Sequence, residues 1–354
     1  MSPAVHQLVP VLTPGDGVSS AVLRYQELLT KHGYRSHVYA GLIDRRLRGR
    51  SKPASALRGD VDHDDVVIYH LSIGSPLAGE FASLDARKVL FYQNVAPAES
   101  VDGVSPLLRH HLRWGRQDLA GLAPIVELSL APSDFSAQDL AAAGSRLVAI
   151  VTLPLDLRRL RPRPAAHDGQ TFLFVGRFAP HKRQDVLIRV LYALRSAYAP
   201  TARLVLVGSG DVPEYIASLR RFAAGLGVAD GLAIHSSGVS DRALGDLYAH
   251  TSVYLCASDH EGFCLPLLEA MAFSVPVVAF AGGAVTETVG SGGVVVSHHD
   301  PLVWASLASR FASDAQARSA IIGAGHDRLE QLSDAKVARR LGDALALIGI
   351  RPPA

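Results

Sequence analysis

Four side chains in the second half of the chain could do chemistry together. Glu261 and Glu269 stand eight positions apart in SDHEGFCLPLLEAMAFSVPVVAFAGGAVTETVG, residues 258–290. Arg177 and Lys182 stand five apart in FLFVGRFAPHK, residues 172–182. Each pair follows an apolar run that reads as a strand, 253–257 for the glutamates and 172–175 for the cations. An arginine offers a planar fork to phosphate oxygens, and a lysine offers a compact point charge. Open parallel sheets bind ligands beyond the carboxyl ends of their strands. Pro266 suits the first position of a helix that would carry Glu269 in its early turns. The start of that helix has free N–H groups that favour an anion. Two carboxylates beside an anion site suit a ligand with both hydroxyls and phosphates, such as a nucleotide sugar.

These groups need two series of strands and helices to position them. The first series has apolar strands at 6–12, 34–40, 66–70, 88–92, 125–131 and 147–153, with helical spacing at 21–32, 107–122 and 136–143. The second has strands at 172–175, 204–207, 232–235, 253–257, 275–280 and 294–296. Such alternation predicts mostly parallel sheets. The Pro-rich, aperiodic stretch 157–164 reads as a linker. The expected domains are therefore 1–160 and 168–334, with a helical stretch at 335–350 crossing back to the first. Residues 42–55, which include DRRLRGRSK, read as a solvated basic loop. Asp62, Asp64 and Asp65 precede a strand, whereas the D-x-D metal motif of the GT-A fold follows one.

The turn after the first strand, TPGDGVSS, holds Gly15, Gly17 and Ser19. It can approach a ligand closely, but G-x-G-x-x-G is absent, so it is no dinucleotide fingerprint. Helix 107–122 carries Arg109, His110, Arg113, Trp114 and Arg116. A basic helix with a Trp could rest on an anionic membrane surface, although an ordinary surface helix is the favoured reading.

The filled motif E-G-F-C-L-P-L-L-E-A-M resembles retaining GT-B glycosyltransferases of glycosyltransferase family 4, the group 1 glycosyltransferases. The match continues through PVVAF to Glu287. Gly176 to Lys182 resembles the family's G-R-x-x-x-x-K, and LVLVGSG at 204–210 its strand and G-x-G marker. Residues 234–244 resemble the segment along the nucleobase, where backbone groups around Val239 do the work. The resemblance covers 171–296 closely and the first domain only in layout. It departs at Arg183 and Ser274, where Gly is usual, and Cys264 stands where Gly or Cys occurs. At Gln93 many relatives have a strand-end histidine; here His70 closes the neighbouring strand.

The resemblance implies an α/β GT-B fold: two facing Rossmann-like doubly wound parallel-sheet domains with an interdomain cleft. It implies transfer of a hexose, of mannose or glucose type, from a nucleotide diphosphate sugar with retention. The acceptor would be a saccharide, a lipid-linked or a small molecule. Arg177 and Lys182 would stabilise the leaving diphosphate, which takes the acceptor proton. Glu261 would orient the sugar hydroxyls and Glu269 the ribose. Gly15, Gly17, Gly176, Val239, Gly262, Phe263, Cys264 and Leu265 complete the expected donor contacts. Ser19, His70 and Gln93 are expected on the acceptor or sugar side. No metal or other cofactor is expected, because the two cations take the charge role. A nucleotide-sugar epimerase of the same fold and a non-catalytic nucleotide-sugar-binding subunit are the alternatives.

Composition narrows the remaining classes. With 48% hydrophobic and 19% charged residues in 354, the chain is globular and long enough for two domains. A net charge of +2 does not suggest nucleic acid. No apolar run reaches the ~18 residues of a membrane span. The first residues lack a basic n-region, so no signal peptide is expected. Two cysteines, Cys256 and Cys264, fit a reducing cytoplasm and read as small packing residues. The fifteen histidines show no metal spacing. The expected location is the cytoplasm, with the inner face of the membrane open as a peripheral surface.

Overall fold

Long apolar runs without alternation are what a strand needs when helices cover both faces of a parallel sheet. The chain has them twice. In the computed structural model, which describes residues 4–161, 167–210 and 212–352, they form two sheets in two compact units. The first unit comprises residues 1–98, 107–156 and 332–354, and the second 99–106 and 157–331. Pro162, Arg163 and Pro164 of the expected linker lie outside the described residues.

The first sheet has seven strands: β1 (Val5–Leu12), β2 (Val38–Ile43), β3 (Lys52–Pro53), β4 (Val66–Leu71), β5 (Arg87–Tyr92), β6 (Leu128–Ala131) and β7 (Val148–Ile150). Their order is β3-β2-β1-β4-β5-β6-β7, and every pairing is parallel. All six side chains of β4 are buried, as a central strand requires. The order reverses between β1 and β4. Residues 42–55, expected as a loop, instead form a 3-10 turn, Arg45–Arg50, and the edge strand β3. Asp44 caps the turn by accepting from Arg46 N–H at 2.9 Å. Pro53 is tolerated there because an edge strand leaves one side unpaired. Asp65 is structural: its carboxylate accepts from Ala4 N–H at 2.7 Å and Asp62 N–H at 3.1 Å.

The second sheet has six strands: β8 (Thr171–Val175), β9 (Arg203–Val207), β10 (Leu232–His235), β11 (Val253–Cys256), β12 (Val277–Phe280) and β13 (Val294–Val296). Their order, β10-β9-β8-β11-β12-β13, is again all parallel and reverses between β8 and β11. The loops after β8 and β11 therefore leave from the switch point of the sheet, where such folds bind ligands.

Helix Asp334–Ala346 belongs to the first unit. Asp334 pairs with Arg24, Arg340 donates to Thr152 Oγ1 at 3.2 Å, and Ile348 O accepts from Arg87 at 2.6 Å. No helix among the described residues is long and apolar enough to cross a membrane. In helix Pro106–Leu122 the Trp114 ring stacks with His111, and its Cβ lies so near Gly74 that a side chain there would collide with it. Arg116 pairs with Asp139 at 3.1 Å. Two of the residues that suggested a membrane face, Trp114 and Arg116, are thus half-buried and have partners within the unit.

Candidate active site

At the second sheet's switch point, the loop after β8 brings Lys182 to Glu261 from the loop after β11. The Lys182 Nζ to Glu261 Oε1 distance is 2.7 Å, with 15% and 12% of the side chains exposed. Burial works against both charges, but their attraction and hydrogen bond outweigh it. The ammonium is held above its ordinary range and the carboxyl below its own. His181 lies beside them, and burial together with the Lys182 charge lowers its pKa to about 4. Its imidazole is therefore neutral at physiological pH.

Arg177 is exposed, and its side chain has no hydrogen-bond or ion-pair partner among the described residues. It is a free cation on the same loop as an occupied one. Backbone contacts hold the loops together. Asp259 N–H donates to His181 O at 2.8 Å, Ala284 N–H to Glu261 O at 2.8 Å, and Gln184 Nε2 to Arg177 O at 3.0 Å. A Cβ on Gly208 would sit 1.9 Å from Gly176 O, and one on Gly282 would sit 2.0 Å from Ser258 O. These two glycines let neighbouring loops press on the site loops. Gly282 was not singled out in the sequence, although its place just after a strand was a signal. The Ser209–Ser237 bridge joins the G-x-G turn to the segment containing Val239.

Glu269 lies in helix Leu265–Ala272 and is only 4% exposed. One oxygen pairs with Arg159, and the other accepts from Tyr248 OH at 2.8 Å. Arg159 also reaches Asp241 at 2.7 Å. Burial opposes the guanidinium's charge, but Glu269 and Asp241 raise its pKa. Sequence reasoning missed Arg159 because it stands in the basic, Pro-rich stretch assigned to the linker. Pro266 occupies the second helical position rather than the first.

Among the described residues five non-glycines have positive φ, including Arg183 (52°), Cys264 (72°) and Ser274 (57°). Those three are the positions where the resemblance led us to expect Gly or noted Gly as an alternative. The left-handed backbone costs an L-residue about 1–2 kcal/mol. Ser274→Gly is expected to raise stability by about 1 kcal/mol, read as a higher Tm. An unchanged or lower Tm would show that the Ser274–His326 hydrogen bond, 3.1 Å, matters more.

In the first unit, Gly15 takes φ 78° and has open space around it. Ser19 does not present its hydroxyl to a ligand. It is 1% exposed, accepts from Thr13 N–H at 3.0 Å and donates to Asp16 at 2.9 Å, so it shapes the loop. Asp16 in turn caps helix Gly17–Lys31, accepting from Ser19 N–H at 2.8 Å. His70 is also no surface contact, being fully buried. Its Nδ1 accepts from Gln93 Nε2 at 2.9 Å, and its Nε2 donates to Gln7 Oε1 at 3.0 Å. Burial lowers its pKa to about 3, so the ring is neutral and the two roles are compatible. The two residues weighed as rivals touch each other: His70 fixes the side chain of Gln93, which is 9% exposed.

A protein-family model described as glycosyl transferases group 1 matches residues 169–314. Residues 169–314 are a group 1 glycosyltransferase domain. All four candidate residues, Arg177, Lys182, Glu261 and Glu269, fall inside it. The chain is 33% identical over 214 residues to the D-inositol 3-phosphate glycosyltransferase of Stackebrandtia nassauensis, covering 57% of this chain and 48% of the relative. To the protein of the same name from Salinispora arenicola it is 38% identical over 160 residues, 43% and 36% of the two chains. It thus spans about half or less of the length of these curated relatives. Among solved structures, HepE from Anabaena, in complex with UDP and glucose, superposes with a TM-score of 0.76 at 17% identity, covering 97% of this chain and 100% of that one. WaaG, a glycosyltransferase involved in lipopolysaccharide biosynthesis, gives 0.72 at 16% identity over 98% and 100%. The group 1 glycosyltransferase domain and its partner unit share the GT-B fold with these proteins.

Proposed function

We propose that the protein transfers a hexose from a nucleotide diphosphate sugar to a hydroxyl acceptor with retention of configuration. The observation that carries the reading is the Lys182–Glu261 pair at the switch point of the second sheet, with Arg177 exposed on the same loop as Lys182. A donor would exchange the internal pair for its own groups: diphosphate oxygens on Lys182 and Arg177, sugar hydroxyls on Glu261. Charge develops on the diphosphate as the sugar departs, and fixed cations aimed there lower the barrier. The leaving phosphate takes the acceptor proton, so no titrating base is needed. The backbone around Gly262, Phe263, Cys264 and Leu265 lines the same turn, and Glu269 is assigned to the ribose. The names of the relatives support a phosphorylated or sugar-like acceptor, and that of HepE makes UDP-sugars the first donors to try.

A thermal-shift panel of UDP-, GDP-, ADP- and dTDP-sugars tests donor binding, because a ligand that binds only the native state raises Tm. Turnover of the best donor should then survive excess EDTA. Loss of turnover restored by magnesium or manganese would overturn the charge role given to the two cations.

Gln93 is assigned to a sugar hydroxyl, held by His70 from behind. Gln93→Ala should cost about 1.5–3 kcal/mol in kcat/KM, the scale of a hydrogen bond to a charged or strongly polarised group. His70→Ala should lower kcat/KM in the same direction, because Gln93 loses its anchor, and should lower Tm as well. A His70→Ala enzyme with reduced Tm but unaltered kcat/KM would show that Gln93 needs no such support.

A further inference from the structure

Only two cysteines occur in the whole chain, and they meet at the donor loop. Cys256 ends β11 and is fully buried. Cys264 lies eight residues on, in the left-handed turn before helix Leu265–Ala272. The two sulfurs and a carboxylate oxygen of Glu261 all lie within 4.8 Å of one another. In a tetrahedral zinc site, bonds of about 2.0–2.3 Å place ligand atoms roughly 3.3–3.8 Å apart. Rotation of these side chains by about an ångström would close the set. Two thiolates and a carboxylate match soft, zinc-like cations rather than magnesium or calcium. Keeping a side chain at φ 72° costs energy that glycine avoids, so the Cys264 thiol is held where the backbone disfavours it.

We propose that Cys256, Cys264 and Glu261 bind a thiophilic divalent cation of the zinc class, and that its binding withdraws Glu261 from the donor. Three anionic ligands, one divalent cation and the Lys182 ammonium sum to zero, so the ammonium can stay nearby. Both thiols must lose their protons, and two protons leave per cation bound. Only the withdrawal clause rests on the proposed function; the site itself does not.

The test titrates the reduced protein with Cd2+ and follows the ultraviolet thiolate-to-metal charge-transfer band. With two cysteines in the chain, the band has one possible origin. Saturation at one equivalent, with two protons released, is expected. Cys256→Ser and Cys264→Gly should each weaken binding at least ~10-fold, since even an outer-shell change costs 10–100-fold. Cys264→Gly also relieves the left-handed strain, so misfolding would not explain its result. No band at one equivalent, or a band of full affinity in both variants, would overturn the site. Next, one equivalent of Cd2+ should abolish the thermal shift from the best nucleotide sugar in the native protein and leave it in Cys256→Ser. A persisting shift with the band saturated would overturn the withdrawal. A panel without any shifting sugar, even free of metal, would instead count against the proposed function and leave the cadmium result intact.

Discussion

Lys182→Gln should lower kcat by ~10²-fold or more while the protein stays folded. Glutamine can still donate to Glu261 but carries no charge to place on a leaving diphosphate. Lys182→Ala should be as inactive and less stable. It leaves the Glu261 carboxylate, 12% exposed, without its counter-charge. Breaking such a pair costs up to about 3 kcal/mol, toward the low end for buried pairs because both side chains keep some solvent. The pH behaviour follows from the shifts. Glu261, with its pKa depressed, contributes stability above its unfolded value near 4.3 and loses it as pH falls through the lower folded value. Lys182, with its pKa raised, contributes below about 10.4 and loses it as pH rises through the higher folded value. The pair is therefore fully charged between about pH 5 and 10, and neither member should put a limb on the rate profile in that window. Full turnover by folded Lys182→Gln would remove the diphosphate role.

Much of the fold was legible because parallel strands covered on both faces appear as unbroken apolar runs. β10 and β13 were placed to the residue, and the others moved by a few positions at their ends. β2 moved most, from 34–40 to Val38–Ile43: the expected range opened on Tyr34 and took in the polar Arg35, Ser36 and His37, while Gly41 hid the apolar Leu42 and Ile43 that continue the strand. The motif residues were legible too, but their contacts were not. Lys182 and Glu261 are 79 positions apart, and nothing local says that two adjacent loops of a switch point join them. His70 and Gln93 read as alternatives because spacing along one chain does not show register. The pairing of His70 with Phe91 across β4 and β5 puts Gln93 two residues beyond the histidine's partner, on the same face. Arg183, Cys264 and Ser274 offered a signal that only backbone geometry decodes, since a missing glycine marks a left-handed residue. Cys256 and Cys264 looked like packing residues because neither C-x7-C nor E-x2-C is a familiar ligand spacing.

Glu269 separates binding from catalysis. Both of its oxygens already have partners, Arg159 on one and Tyr248 on the other. A carboxylate has about four lone-pair positions, so it can hold both partners and still accept from a ribose hydroxyl. Its orientation then depends on them. Glu269→Ala should lower stability by up to about 3 kcal/mol, because it takes the buried partner from the half-buried Arg159 charge and leaves it only Asp241. That loss would obscure any kinetic reading, so the sharper variant is Tyr248→Phe. Removing one hydroxyl should cost only about 1 kcal/mol of stability. It frees one carboxylate oxygen to turn. Ribose contacts exist in ground and transition states alike, so the donor KM should rise several-fold with kcat nearly unchanged. Arg159→Lys should act in the same direction, since a lysine cannot span Glu269 and Asp241 with one planar fork. If both folded variants kept the native donor KM, Glu269 would be a structural anchor for the 157–161 segment, and the ribose would have to be held by other groups of the donor loop.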